Sequence, residues 1–452
     1  MSHLDFEDNS PTEQITPTLN VYTITAICSW LPLCTVKRCR LVSKLWNAGA
    51  IPILFKRSTL RLKCNDINEI SRNVTLLTEI SSLGIPDNVQ ITILTRTHLA
   101  YSPITRDIWN DEFVRFYAKI PGITHLSFKN LTLHWNINSH MEADLIQNLI
   151  QNSSRTLTRL NICPRYDYTF DVDLIPLPDF VNKFDPVKRL DLSRMRTHKF
   201  VVENNWRKVL NFVTQLMTVF DKLEDLILHK TLTKFLVEIV DVIPRTMVNL
   251  TISGAIMHDE LQDVAQLKNP LRKLSIKDVI FGDDASPDIP PHLYNLISKH
   301  AQTLELLTVR FLAWEFYDDL KLPALLNLKR FDLTVPSVRY GWNFYIDFPP
   351  ETPNLAMAFP RLREFCLTFH VVWEGYWTNA LESLFSSETQ VCPNVRKVEI
   401  RDLNWRKTYC FVDRGYEIDV KYARIFKIFP NANNKFVQDL RKYFEKKGML
   451  TI

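Results

Sequence analysis

From residue 123 onward the chain repeats a six-residue pattern: apolar, two free positions, apolar, one free position, apolar. It reads ITHLSF at 123, LTRLNI at 157, VKRLDL at 187, LEDLIL at 223 and MVNLTI at 247. It continues as LRKLSI at 271, LELLTV at 304, LKRFDL at 328, LREFCL at 362 and VRKVEI at 395. The later positions alternate with period two, so each motif predicts a short strand with one face in a core. The mean step is about 30 residues, and six of the ten motifs follow a proline within three residues (Pro121, Pro186, Pro244, Pro270, Pro360, Pro393). Proline ends a preceding helix and holds its neighbour extended, which prepares a strand. Between motifs lie stretches of helical periodicity, at 206–216, 232–242, 293–304 and 380–385. A strand followed by a helix cannot bury its apolar face alone and must stack on its neighbours. The pattern therefore predicts an α/β fold of stacked repeats with parallel strands and outer helices. A strand over 89–94 and a helix near 67–80 would lead into the array, and a charged helix at 436–447 would cap it.

The preceding segment has another period. Val21, Ile24, Ile27 and Leu31 recur at helical spacing, and Pro32 stops that helix. Thr35 is placed to cap a second helix through Val42, and Ser43 a third that carries Leu45, Trp46 and Ala50. Three helices in so few residues bury little apolar surface, so a partner or the following domain is needed to complete them. The organisation read from this is a polar tail at 1–14, a helical domain at 15–62, a bridge at 63–122 and the repeat array at 123–452.

Composition narrows the chemistry. Only 9 of 452 residues are glycine, and GxGxxG, GxxxxGK[ST] and GxSxG are all missing from the sequence. Phosphate loops and nucleophile elbows need glycine where backbone approaches a ligand, so the common nucleotide and hydrolase folds are not expected. The net charge of +5 is mild, and predicts neither a nucleic-acid nor a membrane partner. The start of the chain is polar and acidic, and no run approaches a membrane span, so a cytoplasmic or nuclear protein is expected. The 8 cysteines form no CxxC pair and are expected as reduced thiols. His134, His140 and Glu142 lie close in sequence without a zinc spacing, so neither metal, cofactor nor catalytic residue is expected.

The run WLPLCTVKRCRLVSKLWN, residues 30–47, resembles the F-box motif: Trp30-Leu31-Pro32-Leu33, Val36, Arg40-Leu41-Val42, Ser43, Lys44 and Trp46 match it in order, and Ile53-Leu54-Phe55 sits at its closing apolar position. The opening departs from the family, with Thr16-Pro17-Thr18-Leu19-Asn20 in place of Leu-Pro and an acid, and with Thr35 in place of Asp. The units FPRLREFCL and CPNVRKVEI resemble leucine-rich repeats of the kind found in F-box proteins. This resemblance implies a three-helix F-box followed by an irregular leucine-rich-repeat solenoid. It implies a Skp-type adaptor as partner, and through it a cullin-RING ubiquitin ligase, with Pro17, Leu19, Ile24, Leu31, Pro32 and Val36 facing the adaptor. The chain would then be a receptor that holds a target protein for ubiquitination. The alternative is a scaffold whose helices pack only against its own repeats.

In such strands the third, fifth and seventh motif positions face away from the core. Cations dominate there, and Arg159, Arg189, Lys273, Lys277, Arg310, Arg330, Lys397 and Arg401 are the candidate target-binding residues. They predict a groove for an acidic or phosphorylated segment. The competing reading is a solvated face on which Asp191, Asp332 and Glu399 neutralise these cations. The repeats after residue 300 also carry many aromatics, including Trp314, Trp342, Trp373, Trp377 and Trp405, expected in packing more than in a groove. The repeats lack the asparagine or cysteine expected just after each strand, so their turns need other hydrogen-bond partners.

Overall fold

The computed structural model describes residues 19–63, 69, 72–73, 75–76, 87–93, 128–136, 149–165, 186–195, 206–257, 260–281, 292–314, 320–335, 337–338, 345–369, 383–385, 391–402 and 425–446. The fold is α/β, built on one large parallel sheet. Its main path takes the strands in chain order: β1 (Thr59–Lys63), β2 (Asn88–Ile93), β3 (Asn130–Asn136), β4 (Arg159–Arg165), β5 (Arg189–Leu192), β6 (Asp225–His229), β7 (Asn249–Ser253), β8 (Lys273–Phe281), β9 (Leu306–Trp314), β10 (Arg330–Val335), β11 (Glu364–Phe369) and β12 (Lys397–Asp402). Each strand pairs in parallel with the next one along the chain.

Nine of the ten motifs, from 157 to 395, coincide with strands that begin at their third position. The motif at 123 lies outside the described residues except for Phe128; β3 starts at Asn130, on the pattern Phe128-Lys129-Asn130-Leu131-Thr132-Leu133. The two patterns share Phe128, and in the second Phe128, Leu131 and Leu133 are all buried. The sheet also starts well ahead of residue 123, at Thr59.

Register explains why the motif holds the fold together. Leu131, Leu160, Leu190, Leu226, Leu250, Leu274, Leu307, Phe331, Phe365 and Val398 are successive partners across the ladder, and all are buried. Leu133, Ile162, Leu192, Leu228, Ile252, Ile276, Val309, Leu333, Leu367 and Ile400 form a second buried column two residues on. The first motif position is buried as well, from Leu157 to Val395. A one-residue slip would turn both columns to solvent, so register is strongly specified. Towards the end of the sheet leucine gives way to phenylalanine, and Phe365 stacks on Phe429 at 5.8 Å while Phe331 meets Phe359 edge-on at 5.3 Å. Phe331, Phe359, Phe365 and Phe429 are core. Trp342, Trp373, Trp377 and Trp405, with the side chain of Trp314, lie outside the described residues.

The turns are satisfied on the side where strands begin. Asn269 is buried and donates to the carbonyls of Pro244 and Met247 at 2.8 and 3.1 Å. Asn327, Asn394 and Asn431 donate to Gln302, Pro360 and Pro393 in the preceding repeat. Thr156, Thr246 and Thr303 reach back in the same way to Phe128, Leu223 and Leu271. These bonds satisfy carbonyls of the turns that lead into the strands. Beyond β12, the side chain of Asn434 both accepts from the Val398 amide at 3.0 Å and donates to its carbonyl at 2.9 Å, completing the rung a further strand would supply. The helix Lys435–Lys446 follows and buries Val437 and Phe444 on the core, as a cap should.

Three helices precede the sheet: α1 (Val21–Trp30), α2 (Leu33–Cys39) and α3 (Lys44–Arg57). Asn20 caps α1 through Thr23, and Ser43 caps α3 through Trp46 as the sequence predicts. Helix α2 begins before Thr35, with Pro32 at its N-cap, where a missing N–H costs nothing. The helices enclose a small core of their own, made of Ile24, Cys28, Val36, Cys39, Ala50, Ile53 and Leu54. The C-terminal end of α3 is tied to the sheet by the Asp87 amide on the Phe55 carbonyl and by Asn88 Nδ2 on Lys56.

Candidate functional site

Two surfaces merit attention: the face of the sheet turned away from the core, and the outside of the helical module. On the sheet, the third, fifth and seventh motif positions of β10 are only half-buried while the alternate positions are fully buried. A parallel sheet is normally covered on both faces. In β10 the outward positions Arg330, Asp332 and Thr334 are partly open, whereas Thr251 and Ser275, at the fifth position of their motifs, are buried.

The candidate cations on that face fall into two groups. Arg330 is clamped, with Asp332 at 2.7 Å and Glu364 on the next strand at 3.3 Å, and these carboxylates hold the guanidinium pKa above its ordinary value. Lys397 pairs with Glu399 at 3.1 Å. Arg310 pairs at 2.8 Å with Asp278, the extra residue of a bulge between β8 and β9. Asp278 takes a positive φ of 91° there, a conformation that aspartate tolerates better than most residues. Arg330 and Lys397 are thus neutralised by Asp332 and Glu399, as the competing reading of a solvated face expects, and Arg310 is neutralised by Asp278. Arg159 and Arg189 are direct partners across β4 and β5, and Lys273 and Lys277 lie on β8. None of these four forms an ion pair with a described residue. Arg401 partners Thr368 in the ladder, and its side chain lies outside the described residues. Asp191 does not reach the cations, because its Oδ1 accepts from the Ser193 amide at 2.9 Å.

The helical module sorts its apolar residues differently from the sequence expectation. Ile24 and Val36 are 0% exposed and belong to the module's own core, so they are not partner-facing; this is a correction. Leu31 is half-buried against that core, and its carbonyl accepts from Arg57 at 2.7 Å. Leu19 and Pro32 are exposed, and Pro17 lies outside the described residues. The residues turned outward are others: Trp30 is 89% exposed, Tyr22 and Leu41 86% each, and Val42 66%. Tyr22, Ala26 and Trp30 follow at intervals of four along α1, opposite Ile24 and Cys28. Helix α1 is thus apolar on two sides and satisfied on one. What turns Ile24 inward is Gly49 of α3, whose missing side chain lets α1 approach so closely that an added Cβ would lie 2.6 Å from Ile24 Cγ2.

Among the described residues no three His, Cys, Asp or Glu side chains come together as metal ligands. His134 lies on β3 between Thr92 and Cys163, while His140 and Glu142 lie outside the described residues. Burial pushes the Cys163 thiol pKa up to about 11, which keeps it protonated and a poor nucleophile. Among the described residues no helix is long and apolar enough to cross a membrane. Comparison with known proteins adds no relative, since no family model matches the chain and no curated protein is significantly similar to it.

Proposed function

We propose that the chain is the substrate-recognition subunit of a Skp-cullin-F-box type ubiquitin ligase, its N-terminal helices acting as the F-box and its repeats as a leucine-rich-repeat receptor for a target protein. The observation that carries this reading is the bare outer face of the helical module, where Trp30, Tyr22, Leu41 and Val42 stand exposed on a unit with a minimal core. Single exposed leucines are ordinary, but an almost fully exposed tryptophan beside further large apolar groups marks an interaction surface, and Trp and Tyr are the residues on which interfaces concentrate their energy. Trp30, Leu41 and Val42 also lie inside the run that resembles the F-box motif.

In this reading the chain performs no chemistry of its own. It holds a target near a charged ubiquitin carrier and raises the effective concentration of the target's lysines there. The half-buried polar positions of β10 support the receptor half of the reading, because polar groups left partly open on a parallel sheet are available to a second protein. The test is co-expression of the full chain with a Skp-type adaptor and a cullin, followed by size-exclusion chromatography. Co-elution of the three supports the ligase reading. Elution of a folded chain free of adaptor overturns it and leaves the scaffold.

A further inference from the structure

The residue immediately before each strand forms a row along the edge where the strands begin. From β2 to β12 that row reads Asp87, Lys129, Thr158, Lys188, Glu224, Val248, Arg272, Glu305, Lys329, Arg363 and Arg396. Its charges are matched over most of its length. Lys129 pairs with Asp87 at 3.3 Å, Lys188 with Glu224 at 2.7 Å, and Arg272 and Lys329 share Glu305 at 2.7 and 2.6 Å. These contacts hold the Glu305 carboxyl below the usual carboxylate range, chiefly through the Lys329 hydrogen bond and then that of Arg272.

At the C-terminal end the matching stops. Arg363 and Arg396 are exposed, and neither forms an ion pair or side-chain hydrogen bond with a described residue. They are adjacent rungs, since the Arg363 amide donates to Lys329 and the Arg396 amide to Arg363, both at 2.8 Å. Like charges on neighbouring strands repel, and nothing described at this edge offsets the cost. Beside them runs an apolar ridge of Leu326, Pro360, Pro393 and Pro430, the same position in four successive turns, all exposed.

This ridge is stiff. Asn394 and Asn431 hold the carbonyls of Pro360 and Pro393 at 2.9 Å, and Arg361 holds Asn327 at 2.7 Å. A rigid surface loses little conformational entropy when a partner settles on it. Its sign of charge selects that partner. We propose that this edge is the docking site for an acidic, partly apolar segment of the target protein, with Arg363 and Arg396 pairing its carboxylates and the proline ridge taking its apolar side chains. The proposal deepens the receptor reading by naming the target's chemistry and moving its contact from the sheet face to the edge. Its test involves no adaptor, so either can fail alone.

The probe is a fluorescein-labelled peptide of alternating glutamate and leucine, titrated with the full chain and followed by anisotropy. Wild type is expected to bind in a salt-sensitive manner, and R363E/R396E to weaken binding by about tenfold or more. K37E/R38E, a charge reversal of equal size at exposed positions of α2, is expected to leave affinity within about twofold, as these residues lie in the helical module away from the edge. Equal melting temperatures show that the variants fold. Loss of binding in K37E/R38E but not in R363E/R396E overturns the proposal. So does lack of binding by folded wild type, or tighter and equally variant-sensitive binding of a single-stranded RNA in place of the peptide.

Discussion

Replacing Gly49 by alanine sets two effects of known size against each other. Alanine in a helix interior is favoured over glycine by about 1 kcal/mol, so at an open position the change would stabilise α3. Here the new methyl would lie 2.6 Å from Ile24 Cγ2, 2.8 Å from Ile24 Cβ and 3.2 Å from the Val21 carbonyl. Two of these contacts are to atoms fixed to the α1 backbone, so a rotamer change cannot relieve them. Helix α1 must retreat by about 1 Å to reach ordinary van der Waals distance, and overpacking of this kind costs about 1–3 kcal/mol. The shift also strains the Thr25 hydroxyl, which donates to the Gly49 carbonyl at 3.0 Å. The expected balance is a net loss of about 1 kcal/mol, confined to the helical module because its core is separate from that of the sheet. Hydrogen exchange read by mass spectrometry is the assay: residues 21–57 should exchange faster in G49A while β6 to β12 are unchanged. Equal or slower exchange over 21–57 would refute the argument that glycine is there to admit Ile24.

Three further outcomes follow from the sheet. The buried imidazole of His300, with Leu271 donating to its Nδ1 at 3.4 Å, has its pKa lowered to about 4 by burial and then by Lys299, against an ordinary 6.5. Between these values the unfolded chain binds a proton that the folded chain does not, so stability should fall as pH drops from 6.5 to 4, by up to about 3 kcal/mol. Urea unfolding across that window checks this, and H300Q should show a shallower slope. Asn434→Ala removes both bonds to the Val398 backbone and should cost about 1–3 kcal/mol, read as lost exchange protection in β12 and in the Lys435–Lys446 helix. Asn269→Leu strips two buried carbonyls of their donor and should cost about 2 kcal/mol or more in urea unfolding.

The strands of this fold are legible in the sequence because each buries apolar residues at fixed offsets, and proline marks where several begin. The strand β3 follows a second copy of the pattern, Phe128 to Leu133, which overlaps ITHLSF at Phe128, so the pattern alone does not fix where that strand begins. The polar bonds of the turns lie before the strands: Asn327 and Asn394 precede their motifs by one residue, and Asn431 holds the equivalent place ahead of the C-terminal helix. Which face of the helical module stays exposed is not legible. Helix α1 is apolar on both sides, and only its approach to Gly49 decides that Ile24 turns in while Tyr22 and Trp30 turn out. Charge on the sheet face was half legible. Asp332 sits two residues from Arg330 and pairs with it, but Asp191, at the same spacing from Arg189, caps a turn instead.

The most direct test of the account is calorimetric titration of a purified Skp-type adaptor into the full chain and into Y22E/W30E, a variant altered only at exposed positions. The account predicts wild-type binding with Kd of about 1 μM or tighter, weakened by about a hundredfold or more in the variant, whose melting temperature is unchanged. Binding that ignores Y22E/W30E, or its lack in a folded wild-type chain, would contradict it.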